Sequence, residues 1–361
     1  VAQCVTVTPW VSVAPYIVVS GMRFDLGALT SSWSVAVRVP LFLALYYLTP
    51  FRFRSALILA GSYLFYGWWR FDFLALLILT TIWTYAIGHL VAAHPGTRPA
   101  RIWCGVGVAG CLAVLGVFKY LNFFIDSFAA LFGTTAAGLD IHWRLILPIG
   151  VSFYVFHCIS YLVDVYRKDA RPPRSFFDFA AFIALFPQLV AGPILRFKDL
   201  AHQFEHRTHS PQLFADGMAR FAVGLGKKVL IADNLATIAT PIFAAADAGE
   251  LVSTAKAWQG ALAYTFQLYF DFSGYCDMAI GLSWMFGIKL PINFSAPYRA
   301  TNIADFWRRW HITLSDFLRD YLYVPLGGSR QGRARRYVNL LATMVLGGLW
   351  HGAGWNFVMW G

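Results

Sequence analysis

One histidine lies in a stretch of the chain where few other side chains could crowd it. The segment GGLWHGAGWNF, residues 347–357, places His351 in an apolar run with Gly347, Gly348 and Gly354. In a continuous helix these glycines lie one turn before and one turn after the imidazole, so the face that carries it is nearly bare. Burial disfavours the imidazolium, and a neutral imidazole can take a proton from a hydroxyl or a thiol. The same pattern also fits a histidine that bridges two closely packed helices.

A second histidine belongs to the segment NIADFWRRWHITLSDFLRDYL, residues 302–322. At about 100° per residue, its aromatic and aliphatic side chains fall on one face of a helix, and its arginines and aspartates fall opposite. Asn302 is expected to cap the start of this helix, with Asp305 three residues later. The pattern predicts a continuous helix in the membrane surface, with Trp310 on its apolar face. His311 falls at the border between the two faces and is expected to point along the interface, toward a cavity mouth.

Two aspartates lie in the largely apolar segment QLYFDFSGYCDMAIG, residues 267–281. A charged side chain at the centre of a membrane helix costs about 3 kcal/mol on insertion scales, so Asp271 and Asp277 are functional candidates. One interpretation is that their polar faces line a water-filled substrate path. The other, which is favoured for each residue taken singly, is an interhelical hydrogen bond. For His157 and Asp164, seven residues apart, the structural interpretation is also favoured.

The elements that carry these residues follow from composition, because 58% of the residues are hydrophobic and only 13% are charged. Such a composition is typical of a membrane protein. Apolar runs long enough to cross a bilayer occur at 73–93, 102–118 and 145–163, with further candidates near 36–50, 55–69, 176–195, 217–245, 256–288 and 337–360. They predict an all-α, polytopic membrane protein with roughly eight to eleven transmembrane helices joined by interfacial helices.

The charge balance and the short motifs narrow the class of protein. Lys and Arg number 29 against 18 Asp and Glu, a net charge of +11, which in a multispan protein marks cytoplasmic loops rather than a nucleic-acid partner. The chain has no phosphate-binding loop of the G-x-x-x-x-G-K-[ST] type, so the sequence does not favour an ATP-driven pump. HQFEH, residues 202–206, has the order of a zinc-peptidase motif but lies in a polar stretch without an obvious third ligand. No metal site is therefore expected.

Neither a repeat nor a low-complexity linker divides the chain, so a single membrane domain over 22–361 is expected. Residues 1–21 contain no initiator Met and no basic n-region, and are interpreted as an upstream extension or a weak extra anchor. An apolar segment continues to Gly361 without basic residues after it. The domain is therefore expected to be incomplete at its C-terminus.

Several blocks together resemble the membrane-bound O-acyltransferase family. The blocks are 269–330 and LGGLWHGAGWNF (346–357), with GSYLFYGWWR (61–70), FKYLNFF (118–124), LPIGVSFYVFHCISYLVDVYR (147–167) and FPQLVAGPILR (186–196). They are most similar to the bacterial branch that contains the alginate O-acetyltransferase membrane subunit and the teichoic-acid D-alanylation membrane protein. The resemblance extends over nearly all of 22–361 and implies the fold of that family.

The resemblance also implies a reaction, the transfer of an acyl group to a hydroxyl. His351 matches the catalytic histidine of the family and would act as general base, and His311 matches a second family histidine with a supporting role. Both would lie near a tunnel that lets a cytoplasmic donor meet an acceptor on the other side of the membrane. Acetyl-CoA is the implied donor, and no bound cofactor is expected. Asn356 or backbone amides near the glycines are candidates to stabilise the oxyanion. Asn356 and Trp310 are also candidates to line the substrate path.

For the whole protein, the resemblance implies a multi-pass enzyme of the bacterial inner membrane that acetylates an exopolysaccharide such as alginate. Its implied partners are the lipid bilayer, the polysaccharide acceptor and periplasmic acetyltransferase proteins that finish the transfer. Two alternatives stay open. The cargo could be D-alanine or a longer acyl chain on another envelope polymer, or the chain could be a noncatalytic transport or scaffold subunit whose Asp and His residues line a path.

Overall fold

The computed structural model of the chain describes residues 16–19, 22–25 and 32–361. These residues are predominantly helical, which confirms the expected all-α membrane fold class. One short hairpin departs from it: β1 (Tyr16–Val19) and β2 (Met22–Asp25) pair antiparallel, with Val19 opposite Met22. The remainder of the expected upstream extension, 1–15 and 20–21, lies outside the described residues.

Within the described part of the chain, helices of very different length follow one another. Helices α1 to α15 span, in chain order, Ser32–Leu48, Arg54–Trp69, Phe71–Ala93, Arg98–Leu115, Leu121–Leu131, Val151–Arg167, Phe176–Ile183, Phe197–Glu205, Pro211–Gly226, Asp233–Asp247, Thr254–Met285, Ile303–Trp307, Ile312–Leu318, Gly332–His351 and Trp355–Trp360. Wider π-helical turns occupy Gly116–Tyr120, Lys227–Ala232 and Arg319–Tyr323. The π-helical turns continue the helices that precede them, so several helices are longer than their α-helical parts.

Three helical stretches are long and apolar enough to cross a membrane: Phe71–Ala93, Arg98–Leu131 and Pro211–Asp247. They confirm helices at the runs 73–93, 102–118 and 217–245. The second stretch is longer than its apolar run because the π-helical turn at Gly116–Tyr120 carries the helix on to Leu131. The expected number of roughly eight to eleven spans stays a prediction.

Two of the expected spans are shorter as helices than their apolar runs. In the run 145–163 the helix begins only at Val151, because Pro148 and Gly150, which has a φ of 74°, hold the preceding residues out of helical geometry. In the run 176–195 the helix ends at Ile183, ahead of Pro187 and Pro193. Proline and glycine thus break apolar runs that hydropathy alone reads as continuous.

The chain forms two compact units, each made of two chain segments. The carboxylate unit consists of the described residues up to Thr49 together with 208–294, and contains Asp271 and Asp277. The histidine unit consists of 50–207 and 295–361, and contains His311 and His351 together with Trp310 and Asn356. The expected single domain over 22–361 stays a prediction.

Glycines set the packing of α9 against α11 in the carboxylate unit. A Cβ placed on Gly217 would lie 2.7 Å from the carbonyl oxygen of Gly281, and one on Gly224 would lie 2.5 Å from that of Gly274. Each helix therefore presents two glycines, seven residues apart, to the other. Small residues at such positions let helix backbones approach closely in a membrane, where helices associate largely by packing.

Helix α6 forms the centre of the histidine unit. Nearly all of its residues are buried, including His157 and Asp164. Tyr161 packs against Phe179 of α7 and Phe197 of α8, with ring centroids 4.5 and 4.8 Å apart. A helix that is apolar on almost every side is expected in such a central position.

Candidate active site

His351 is the last residue of α14. Gly352 and Gly354 both have extended backbone, with φ values of −166° and −174°, and α15 begins at Trp355. The expectation that Gly354 follows His351 by one helical turn is therefore wrong. Two glycines within three residues favour a break in the helix, because glycine loses more backbone entropy in a helix than any other residue.

The glycines before His351 admit a neighbouring segment instead of leaving a bare face. A Cβ on Gly348 would overlap the carbonyl oxygen of Phe357, and one on Gly347 would lie 3.3 Å from Leu318 Cδ1. Chain reversal at Gly352–Gly354 thus brings α15 back against α14. The expectation of a nearly bare face is therefore wrong at Gly348, where the neighbour is the backbone of the next helix.

The imidazole of His351 lies between two indole rings. Its centroid is 4.9 Å from that of Trp350 and 4.9 Å from that of Trp360, with interplanar angles of 75° and 78°. Edge-to-face contacts of this kind fix the plane of a ring. His351 keeps partial exposure to solvent.

His311 interrupts the helix that was expected to run from Asn302 to Leu322. Helix α12 ends at Trp307 and α13 begins at Ile312, because His311 adopts a left-handed conformation with a φ of 46°. A non-glycine residue in such a conformation costs roughly 1 kcal/mol or more and persists where its surroundings fix it. The expected cap at Asn302 is confirmed, since its side chain accepts a hydrogen bond of 2.9 Å from the Asp305 amide.

The interruption turns His311 inward. Its side chain is 2% exposed, so the expected position at the border of a surface helix is wrong. Burial, and to a smaller extent the neighbouring His351, lower the pKa of His311 to about 3. The imidazole of His311 is therefore neutral at neutral pH.

The ring of Trp350 contacts both histidines. Its ring lies 6.0 Å from that of His311 and 4.9 Å from that of His351, edge to face in both cases. Phe153 and Phe156 of α6 pack against the same indole at 5.7 and 5.6 Å. The structure thus places both predicted histidines on one tryptophan that the core helix holds in position.

A buried lysine that sequence reasoning missed contacts the end of α14. The Nζ atom of Lys119 donates hydrogen bonds to the carbonyl oxygen of Trp350 and, at 3.2 Å, to Ser152 Oγ. The hydroxyl of Tyr120 donates to the carbonyl oxygen of Leu349 at 2.8 Å. One signal was present in the sequence, because Lys119 is the only Lys or Arg between 102 and 131.

Two other candidate residues of the histidine unit, Trp310 and Asn356, have different surroundings. Trp310 stacks on Phe306, with ring centroids 5.7 Å apart, and lies 6.3 Å from the ring of Tyr298. Asn356 is exposed in the first turn of α15. A substrate-path role for Trp310 or Asn356 stays a prediction.

Both candidate aspartates, Asp271 and Asp277, form ion pairs between helices of the carboxylate unit. Asp277 accepts hydrogen bonds from Arg220 Nε at 3.0 Å and from Lys227 Nζ at 2.6 Å. Asp271 lies 2.7 Å from Lys228 Nζ. These contacts correspond to the interpretation that was favoured for each aspartate singly. Their assignment to a substrate path stays a prediction.

Comparison with known proteins points to one family. The model of the membrane-bound O-acyltransferase family matches residues 122–361, a range that includes both His311 and His351. A protein of Azotobacter vinelandii named "probable alginate O-acetylase" is 54% identical over 324 residues, 90% of this chain. The peptidoglycan O-acetyltransferase of Helicobacter pylori is 40% identical over 86% of the chain. The teichoic acid D-alanyltransferase of Bacillus subtilis is 26% identical over 60% of the chain and 57% of its own length.

The chain spans less than two thirds of the length of each of these relatives. The alignments cover 64% of the Azotobacter protein and 62% of the Helicobacter protein.

Proposed function

Because this chain belongs to the membrane-bound O-acyltransferase family, we propose that it passes an acetyl group from acetyl-CoA across the membrane toward hydroxyls of a cell-envelope polysaccharide. The observation that carries the proposal is the position of His351 at the end of α14, between two indole rings, with His311 against the same Trp350. A partly exposed imidazole with a fixed ring plane suits a general base.

In the proposed reaction, His351 removes the proton from the acceptor hydroxyl while the oxygen attacks the thioester carbonyl. The new C–O bond forms and the C–S bond breaks, so that CoA leaves as a thiolate. His351 then returns the proton to that thiolate, and the products are the acetyl ester and CoA. His311, neutral and buried, serves to position the substrate or the Trp350 ring. Asn356 and nearby backbone amides remain the proposed oxyanion donors.

The names of the relatives support the identity of the acyl group more strongly than the identity of the acceptor. The relatives at 54% and 40% identity are both named for O-acetyl transfer, one to alginate and one to peptidoglycan. The relative named for D-alanyl transfer is 26% identical over a shorter range. We therefore favour acetyl as the transferred group and an alginate-type exopolysaccharide as acceptor, with peptidoglycan as the second candidate acceptor.

The proposed setting is the bacterial inner membrane. Three helical stretches suited to crossing a bilayer support a membrane location, and the family is membrane-bound. The donor would be met on the cytoplasmic side, and periplasmic acetyltransferase proteins would complete the transfer to the polymer. The lipid bilayer and the polysaccharide are the other proposed partners.

The test is the replacement His351→Ala in the full-length gene. We expect the O-acetyl content of the polymer to fall roughly 100-fold or more while the protein reaches the membrane in normal amount. The matched control is His89→Ala, since His89 is an exposed histidine of α3 whose ring contacts the carbonyl of Tyr85 in its own helix. Normal acetylation in His351→Ala at normal abundance would refute the catalytic role.

Analysis of the ester identifies cargo and acceptor in the same cells. Mild alkaline release followed by mass spectrometry distinguishes acetate from D-alanine, and separate extraction of exopolysaccharide and peptidoglycan identifies the polymer that lost it. Loss of acetate from the exopolysaccharide alone is expected. Loss from peptidoglycan alone would replace the first acceptor by the second, and loss of D-alanine would overturn the proposed cargo.

A further inference from the structure

A single ammonium group is buried against the end of the helix that carries His351. Lys119 is 7% exposed and lies in the helical stretch Arg98–Leu131, which is suited to crossing a membrane. A cation in such a stretch is costly and is retained where it has a specific role. Its Nζ atom contacts the Trp350 carbonyl oxygen and Ser152 Oγ, and lies 5.5 Å from the centroid of the Trp350 ring.

Two neighbouring side chains of the π-helical turn at Gly116–Tyr120 contact two neighbouring carbonyls. Successive side chains of a regular α-helix project about 100° apart. Here Lys119 and Tyr120 contact the carbonyl oxygens of Trp350 and Leu349 respectively. Turns of this kind are uncommon and occur frequently at functional sites.

The carbonyls that these side chains contact belong to the last turn of α14. Carbonyl groups in the last turn of a helix have no partner within the helix, and a positive charge is favourable beside them. The carbonyl of Trp350 also shares a planar peptide unit with the amide of His351. A contact that holds this oxygen therefore fixes the plane from which the His351 side chain projects.

The same lysine acts on the ring between the two histidines. The Trp350 indole contacts His311 on one side and His351 on another, and Phe153 and Phe156 pack against it. Lys119 lies against this indole and hydrogen bonds to the backbone of the same residue. One side chain thus constrains both the ring and the peptide that precede His351.

We propose that Lys119 is a positioning residue for His351: its ammonium holds the Trp350 carbonyl and indole, and so fixes the imidazole in the geometry needed for acyl transfer. This role rests on the proposed function. Lys119 itself does not touch the reacting atoms. A purely structural lysine would instead affect how much protein accumulates and leave the turnover of each folded molecule unchanged.

The test compares Lys119→Met with Tyr120→Phe in the full-length protein, expressed with its native complex. Methionine keeps an unbranched chain of similar length but lacks the charge and the donors. Inside-out membrane vesicles are supplied with acetyl-CoA over a range of concentrations, and ester formation on the polysaccharide is measured per molecule of protein. We expect kcat to fall roughly 100-fold, the effect of misplacing a catalytic group by about 1 Å, with KM for acetyl-CoA unchanged.

Three further variants test the same positioning role. Lys119→Arg retains a cation with donors and is expected to recover part of the lost kcat. Tyr120→Phe removes a donor to the carbonyl one residue farther from His351, so its effect is expected to be smaller. In a His351→Ala background, Lys119→Met is expected to cause no further loss, because groups that act through one another are not additive.

Two outcomes overturn the inference: an unchanged kcat in Lys119→Met at normal abundance, or a full additional loss in the His351→Ala background. If Lys119→Met does not accumulate in the membrane, Lys119→Gln takes its place, and a wild-type kcat in that variant overturns the inference as well. Failure of the proposed function has a different signature, since His351→Ala alone would then retain transfer.

Discussion

The carboxylate unit and the histidine unit both hold ionisable side chains largely away from solvent, but they surround them differently. In the carboxylate unit, Asp277 is neutralised by Arg220 and Lys227, and Asp271 by Lys228, all within 3.0 Å. In the histidine unit, His311 and His351 pack edge to face against Trp350. An ion pair between helices must be broken before its carboxylate can serve a substrate, whereas a neutral imidazole against aromatic rings keeps its lone pair. This difference supports the proposal that the aspartates hold helices together and that the histidines take part in the reaction.

The largest expected effect comes from replacing one group of each kind and measuring acyl transfer per molecule of membrane protein. His351→Ala is expected to lower turnover roughly 100- to 10,000-fold, the usual contribution of a general base. Asp277→Asn is expected to keep the turnover of the molecules that fold. A catalytic defect in Asp277→Asn as large as that in His351→Ala would remove the distinction between the two units.

His311 allows its backbone and its ring to be tested separately. Both His311→Ala and His311→Gly remove the imidazole, but glycine accepts the φ of 46° without strain. We expect kcat to fall roughly 100-fold in each variant, because the ring positions the site. Thermal unfolding in detergent should show His311→Gly to be the more stable of the two. Normal kcat in His311→Gly would mean that the turn, rather than the imidazole, matters.

A stability measurement probes the ion pairs of the carboxylate unit. Asp277→Asn leaves the charges of Arg220 and Lys227 without their carboxylate. We expect a loss of about 2 kcal/mol, below the full penalty for a broken buried pair because these side chains keep some solvent exposure. Thermal unfolding of the purified protein measures this loss, with Asp277→Glu as the charge-conserving control. An unchanged melting temperature would mean that the pairs contribute little to holding α9 against α11.

The smallest expected effect concerns the glycine contacts beside these ion pairs. Gly224→Ala places a Cβ 2.5 Å from the carbonyl oxygen of Gly274, which forces α9 and α11 apart and is expected to cost about 1 kcal/mol. Gly226→Ala is the matched control, since no atom outside its own helix neighbourhood lies within 4 Å of the added Cβ. Equal stability of the two variants would contradict close glycine packing at this position.

Local sequence was sufficient to single out particular side chains. His351 was recognisable as a candidate because an imidazole in an apolar segment is costly to bury and needs a specific role, catalytic or in helix packing. Asn302 was recognisable because its cap contact spans only three residues. Hydropathy likewise located the helix at 71–93. In each case the deciding interactions lie within a few residues of one another, so the chain's local pattern contains them.

Tertiary structure decided where the helices break and which distant groups meet. The left-handed turn at His311 and the reversal after His351 depend on neighbours that fill the space each turn opens, and hydrophobic periodicity does not encode them. The partners of Lys119 and Asp277 lie 231 and 50 to 57 residues away in the chain. The sequence by itself determined which ionisable side chains lie in apolar segments. Only the fold decided which groups those side chains contact, because packing brings Asp277 to its cations and both histidines to Trp350.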